Sequence, residues 1–222
     1  NSVAENTVLG ENALDASVSG GSNTAIGFVA LTTLTSGSNN TAVGAQSLQI
    51  NSTGSSNTAL GKDALRFNTT ASHNTAVGVD ALTANTTGSQ NVAVGSQTLI
   101  VSTTAANNTA VGYAALHANS TGTSNVAVGN EALSTDTTGT QNVALGAFAL
   151  QLNTTGNDNI GVGHQALKNN TTGVNNIAIG TRSLDANTDA NSSLAIGFAA
   201  LTKSNAASNI AIGSQAMEEN LS

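Results

Sequence analysis

The chain contains no cysteine, no proline and no tryptophan. Without cysteine there is neither a disulfide framework nor a thiolate metal site. Aromatic residues make up 2% of its 222 positions, one Tyr and four Phe, which excludes a core built from large interlocking rings. Charged residues are 8% of the chain, against roughly 25% in ordinary globular domains. Five Lys and Arg within a net charge of −7 are too few to track a phosphate backbone, so no nucleic-acid partner is expected. No apolar run approaches the roughly 18 residues of a spanning helix, so no membrane insertion is expected. Sparse bulky residues often mean disorder, but disorder goes with high charge and no pattern. Here charge is low and the pattern is strict. Residue 1 is Asn rather than Met, so the sequence reads as a processed chain or a piece of a longer one, with no signal peptide legible in it.

What the chain does have is Gly, Ala, Asn, Ser and Thr in a repeat. The Gly of the string Asn-Thr-Ala-Val-Gly recurs at Gly10, Gly27, Gly44, Gly61, Gly78, Gly95, Gly112, Gly129, Gly146, Gly163, Gly180 and Gly197, always 17 residues apart, and Gly213 follows after 16. Nothing interrupts the series, so residues 1–222 read as a single repeat domain of about thirteen coils. Helical solenoid units need more than about 30 residues, and this period is too short for them. It suits one turn of a parallel β-solenoid, and the expected fold class is all-β.

Within a coil such as Asn74 to Gln90, each position has its own character. Thr75-Ala76-Val77 alternates and is rich in β-branched residues, so it reads as a strand. Gly78 is expected to turn a sharp corner where a Cβ would clash. Ala81-Leu82 is expected as a second, shorter strand, and Leu116 holds the same place as Leu82. Asn85-Thr86-Thr87-Gly88 reads as a turn. With coils spaced like neighbouring strands, about 4.8 Å apart, thirteen of them would extend about 60 Å. Identical residues then stack. The Asn that opens each coil, as in Asn40, Asn57, Asn74 and Asn91, is expected to form an amide ladder with a structural role, with Ser193 as the departure.

Each coil brings one Leu and one or two other aliphatics, a small apolar yield for the entropy of ordering its residues. Further burial against neighbouring chains is therefore expected. On the strand, Thr75 and Val77 share one side and Ala76 takes the other. If Val77 points inward, the uniform smallness of the Ala column calls for close approach of another backbone, and the Ala face is expected to pack against symmetry mates. The other arrangement puts Ala in a thin interior and the aliphatic against the partner. Both leave an apolar face to cover.

Strings such as NTAVGYAALHANSTGTSNVAVG, Asn108 to Gly129, resemble repeats of phage tail-fibre and related surface proteins. The Ala-Val/Ile-Gly core is also similar to the repeats of trimeric autotransporter adhesin heads, although the adhesin repeat is shorter. That family folds as a trimeric left-handed parallel β-roll. The resemblance covers essentially the whole chain. It implies a homotrimer, an extracellular, cell-surface or virion location, and attachment to a host, with a cell-surface receptor or glycan as partner.

An active site needs unlike residues converging in one place. His73, His117 and His164 fall at three different positions of the coil and cannot converge within one chain. Asp63, Asp80 and Glu131 sit near corners, and Asp136 replaces a turn Asn. The repeated Asp of a calcium-binding β-roll is absent. Ser36-Gly37-Ser38 is not a phosphate loop, because no Lys follows. Asn-x-Ser/Thr triplets such as Asn68-Thr69-Thr70 and Asn119-Ser120-Thr121 could carry glycans in a secretory pathway, but the turn itself generates them. No catalytic residue, metal ligand or cofactor is expected, and the chain reads as a non-enzyme. One candidate surface ladder remains, the pairs Thr69-Thr70, Thr86-Thr87, Thr137-Thr138, Thr154-Thr155 and Thr171-Thr172. A stacked Thr array is also how some ice-binding proteins look, which supplies the alternative to a fibre. Adjacent Thr residues in a strand point opposite ways, which suits a turn better than an ice-binding face.

Overall fold

The computed structural model describes residues 5–218. The fold is an all-β parallel β-solenoid, with thirteen three-residue strands and no helix among the described residues. The chain divides into two compact units, Asn1–Asn108 and Thr109–Ser222. The first holds β1 (Thr7–Leu9), β2 (Thr24–Ile26), β3 (Thr41–Val43), β4 (Thr58–Leu60), β5 (Thr75–Val77) and β6 (Val92–Val94). Its strands pair in sequence order, all parallel. The second holds β7 (Thr109–Val111), β8 (Val126–Val128), β9 (Val143–Leu145), β10 (Ile160–Val162), β11 (Ile177–Ile179), β12 (Leu194–Ile196) and β13 (Ile210–Ile212), paired in the same manner. Register follows the repeat. Thr58 lies beside Thr75, Ala59 beside Ala76 and Leu60 beside Val77.

The interior belongs to the small residue of the strand. Ala25, Ala42, Ala59, Ala76 and Ala93 in the first unit, and Ala127, Ala144, Ala178 and Ala195 in the second, have no exposed surface. Thr75 and Val77 flank Ala76 on the opposite side and stay half-buried. This corrects the expectation that the Ala face meets symmetry mates. The coil is too thin for two larger side chains to meet across it, so Ala fills it together with the Leu of the same coil. The β-branched residues face outward.

The expected second strand at Ala81-Leu82 is absent. Two residues per coil there adopt left-handed backbone instead, as in Asp80 at φ 58° and Leu82 at φ 54°. Such a residue costs about 1–2 kcal/mol when it is not Gly. Full burial of a Leu side chain returns about 1.5–3 kcal/mol, and Leu82 and Leu116 have no exposed surface. Alternating handedness curls the chain while its amides still bond coil to coil. The Asp80 N–H donates to Lys62 O at 3.0 Å, and the Leu82 N–H donates the other way, to Thr98 O, at 2.9 Å. Periodicity could not reveal this, because a left-handed Leu is a tertiary outcome.

The corner glycine behaves as expected. All thirteen glycines in this column have φ between 128° and 140°. At Gly78 a Cβ would also sit 2.5 Å from the carbonyl oxygen of Gly95 in the next coil. Both dihedral and stacking therefore demand Gly at this column.

Candidate functional site

Two side-chain ladders hold the coils in register. In the first, Asn40, Asn57, Asn74 and Asn91 are fully buried. Each backbone N–H donates to Oδ1 of the Asn one coil earlier, at 2.9–3.0 Å. Each Nδ2 also donates across its own coil, to the carbonyl of Gly54, Ala71, Gly88 and Ala105 respectively, at 2.8–2.9 Å. Amide-to-amide bonds link Asn57 to Asn40 and Asn91 to Asn74, both at 3.2 Å. The expected amide ladder is thus formed, and the same side chains close each coil on itself.

The second ladder lies in the Asn-Thr-Thr-Gly turn, and a reading of that string as a surface turn missed it. Asn51, Asn68 and Asn85 in the first unit and Asn153, Asn170 and Asn187 in the second are fully buried. Asn68 Nδ2 donates to Asn51 Oδ1 at 2.9 Å, and Asn85 Nδ2 to Asn68 Oδ1 at 2.8 Å. The signal was available in the recurrence of Asn three residues after most of the buried Leu residues, as from Leu82 to Asn85 and from Leu150 to Asn153. Burial of these amides also removes the glycosylation reading for the folded chain. Asn68 and Asn119 are enclosed, and Asn119 Nδ2 already donates to Gly122 O at 3.0 Å.

The Thr pairs split into two roles. The first Thr of each pair turns its hydroxyl into the stack. Thr69 Oγ1 donates to Thr86 O, Thr86 to Thr103 O, Thr137 to Thr154 O, Thr154 to Thr171 O and Thr171 to Thr188 O, all at 2.8–3.0 Å. The second, at Thr70, Thr87, Thr138, Thr155 and Thr172, is exposed. Half of the expected polar ridge is therefore occupied in joining coils.

Potential chemistry stays dispersed. His73 and His164 are exposed and His117 is half-buried. His164 meets the Phe148 ring edge-on, with centroids 6.0 Å apart. No three His, Asp or Glu among the described residues are placed to hold a metal. In the first unit, Asp63 pairs with Lys62 at 3.0 Å and Arg66 at 3.5 Å, and Arg66 lies over the Phe67 ring at 4.9 Å. In the second unit, a half-open groove of about 340 Å³ runs between Arg182, Asp185, Phe198, Lys203 and Glu218. Arg182 is tied to Asp185 at 3.4 Å, so the groove carries both signs of charge and no concentrated field.

Each unit also carries an outward strand face. In the first unit it presents Thr24, Thr41, Thr58 and Thr75 beside Ile26, Val43, Leu60 and Val77. In the second it presents Val126, Val143, Ile160 and Ile177 beside Val128, Leu145, Val162 and Ile179. No charged residue lies in any of the thirteen strands. Leu60 is 46% exposed and Ile179 39% exposed, although both project from the middle of a sheet. The chain matches no family model, no curated protein sequence and no solved structure.

Proposed function

We propose that this chain forms the shaft or head of an extracellular or virion fibre, a phage tail fibre or surface adhesin, and works as a homotrimer that mediates attachment. Its role is mechanical: repeated coils space and present a surface to a receptor or glycan, without catalysis. The observation that carries this reading is the outward strand face, an uncharged and largely aliphatic surface in columns set by the repeat. A monomer would leave it in water, and contiguous apolar surface of this kind marks an interaction site. Neighbouring copies present columns at the same pitch.

Sedimentation equilibrium at micromolar concentration tests the reading, with a trimer that persists in mild denaturant expected. A monomer under those conditions overturns it. A monomer that also shows thermal hysteresis replaces it with ice binding, for which the half-buried Thr24, Thr41, Thr58 and Thr75 column is the supporting observation.

A further inference from the structure

The buried turn ladder of the second unit contains one acid. It runs Asn119, Asp136, Asn153, Asn170 and Asn187, none with exposed surface. An Asn at this position bonds in three directions. Its Nδ2 donates to Oδ1 of the coil before, as from Asn170 to Asn153 at 2.8 Å and from Asn187 to Asn170 at 2.7 Å. The same Nδ2 donates to the carbonyl three residues on, Gly173 at 3.1 Å and Ala190 at 3.2 Å. Its Oδ1 accepts from the coil after.

Asp136 performs the accepting part. Its Oδ1 takes a bond from Asn153 Nδ2 at 3.0 Å and another from the Gly139 N–H at 3.1 Å. Its Oδ2 stands where the other coils have Nδ2 and has no partner. Asn119 Oδ1, which should receive that Nδ2, has none either. Two acceptors are left without donors on residues that have no exposed surface, an arrangement that costs the desolvation of both. Elsewhere the ladder breaks at Ser102 and Ser204, and the orphans there are Asn85 Oδ1, Ser102 Oγ and Asn187 Oδ1. A serine is simply too short to reach. Asp136 has the length and shape of Asn, but its Oδ2 brings no hydrogen where Nδ2 brings two.

We propose that Asp136 is a protonated carboxylic acid in the folded chain, its Oδ2–H donating to Asn119 Oδ1 as a pH-sensitive link between two coils. Burial pushes this carboxyl up from 3.8 to about 7, against the opposing pull of the bonds from Asn153 and Gly139. The titratable side chains on its own and the two flanking coils are Tyr113, His117, Glu131 and Asp158, and none is among the causes of the shift. Glu131 is engaged by Gln151 Nε2 at 2.7 Å. Because the unfolded chain loses this proton near 3.8 and the folded chain keeps it to about 7, the folded state binds more protons across that window. The link therefore contributes fully below the lower value, fades as pH rises, and is gone above the upper one.

The test uses the full chain and Asp136→Asn, with thermal unfolding followed from about pH 4 to about pH 9, the range that spans both titrations. The wild-type midpoint is expected to fall with rising pH relative to Asp136→Asn, whose amide restores the ladder. The gap between the two should be smallest at the acid end and widest at the alkaline end, with the variant higher there. Infrared or carboxyl-carbon spectra at about pH 6, above the ordinary carboxylate range, are expected to show one protonated carboxyl in the wild type and none in the variant. Parallel midpoint curves, or a wild type fully ionised under those conditions, overturn the proposal. The wild-type spectrum decides it even if the variant does not fold. The competing reading is a bound cation at Asp136 Oδ2 and Asn119 Oδ1, although calcium takes roughly six to eight oxygens. A midpoint raised by calcium in the wild type alone overturns the proton in favour of that ion.

Discussion

The two units have interiors of the same kind and differ in what they show outside. In both, Ala and Leu fill the coil, Gly turns the corner and buried Asn ladders join the floors. On the outward strand face, the first column of the first unit is Thr in five of its six strands, with Val92 as the exception. In the second unit the same column is aliphatic in six of seven, with Thr109 as the exception. The neighbouring column is aliphatic throughout both. A hydroxyl can keep a water, whereas Val, Ile and Leu at the same place gain only by leaving it. Folding thus constrains the inside identically while the outside is free to vary. The variation runs toward stronger apolar character in the second unit.

Equal cores should respond equally, and this carries the largest expected effect. Leu82→Ala in the first unit and Leu116→Ala in the second each remove a fully buried side chain and should cost about 2–5 kcal/mol. Denaturant melts should give matching losses, and a clear inequality would break the claim of a common interior. The faces, by contrast, should respond unequally. Ile177→Lys places a charge on the more aliphatic face and should weaken the proposed trimer about tenfold or more, roughly 1.4 kcal/mol. Thr75→Lys, on the mixed face, should do less. Sedimentation equilibrium of both variants measures the difference, and equal effects would detach the outer columns from assembly. The smallest effect tests the interior again. Gly161 is the one Gly in the inward column of the second unit, where every other strand has Ala. A Cβ there would sit 3.1 Å from Ala166 O and 3.4 Å from Leu150 Cδ1, a fit that the other coils already accommodate. Gly161→Ala should stabilise by about 0.4–1 kcal/mol, chiefly by restricting the unfolded chain. A loss of stability would show that β10 is packed more tightly than its neighbours.

Much of the fold was legible in advance because repetition repeats its own constraints. The strand at Thr75-Ala76-Val77, the corner at Gly78 and the ladder through Asn74 each show in the residue types that their geometry admits. The left-handed backbone at Leu82 was not legible, since Leu has no local preference for it and accepts it only under full burial. Nor was the burial of Asn85 within a string that reads as a turn. The split of Thr86 from Thr87 came from hydroxyl geometry between coils, which composition does not carry. Of the candidate site, the sequence showed that apolar surface would be left over, and not which columns would form it.

Spacing alone determined that this chain stacks coil on coil in parallel register, because identical residues at one fixed interval can satisfy one another only by lying side by side. Which side of the strand faces inward was decided by the tertiary structure. Alternation separates a strand into two faces without saying which is inside, and only the width of the closed coil, too narrow for anything beyond Ala beside Leu, chose between them.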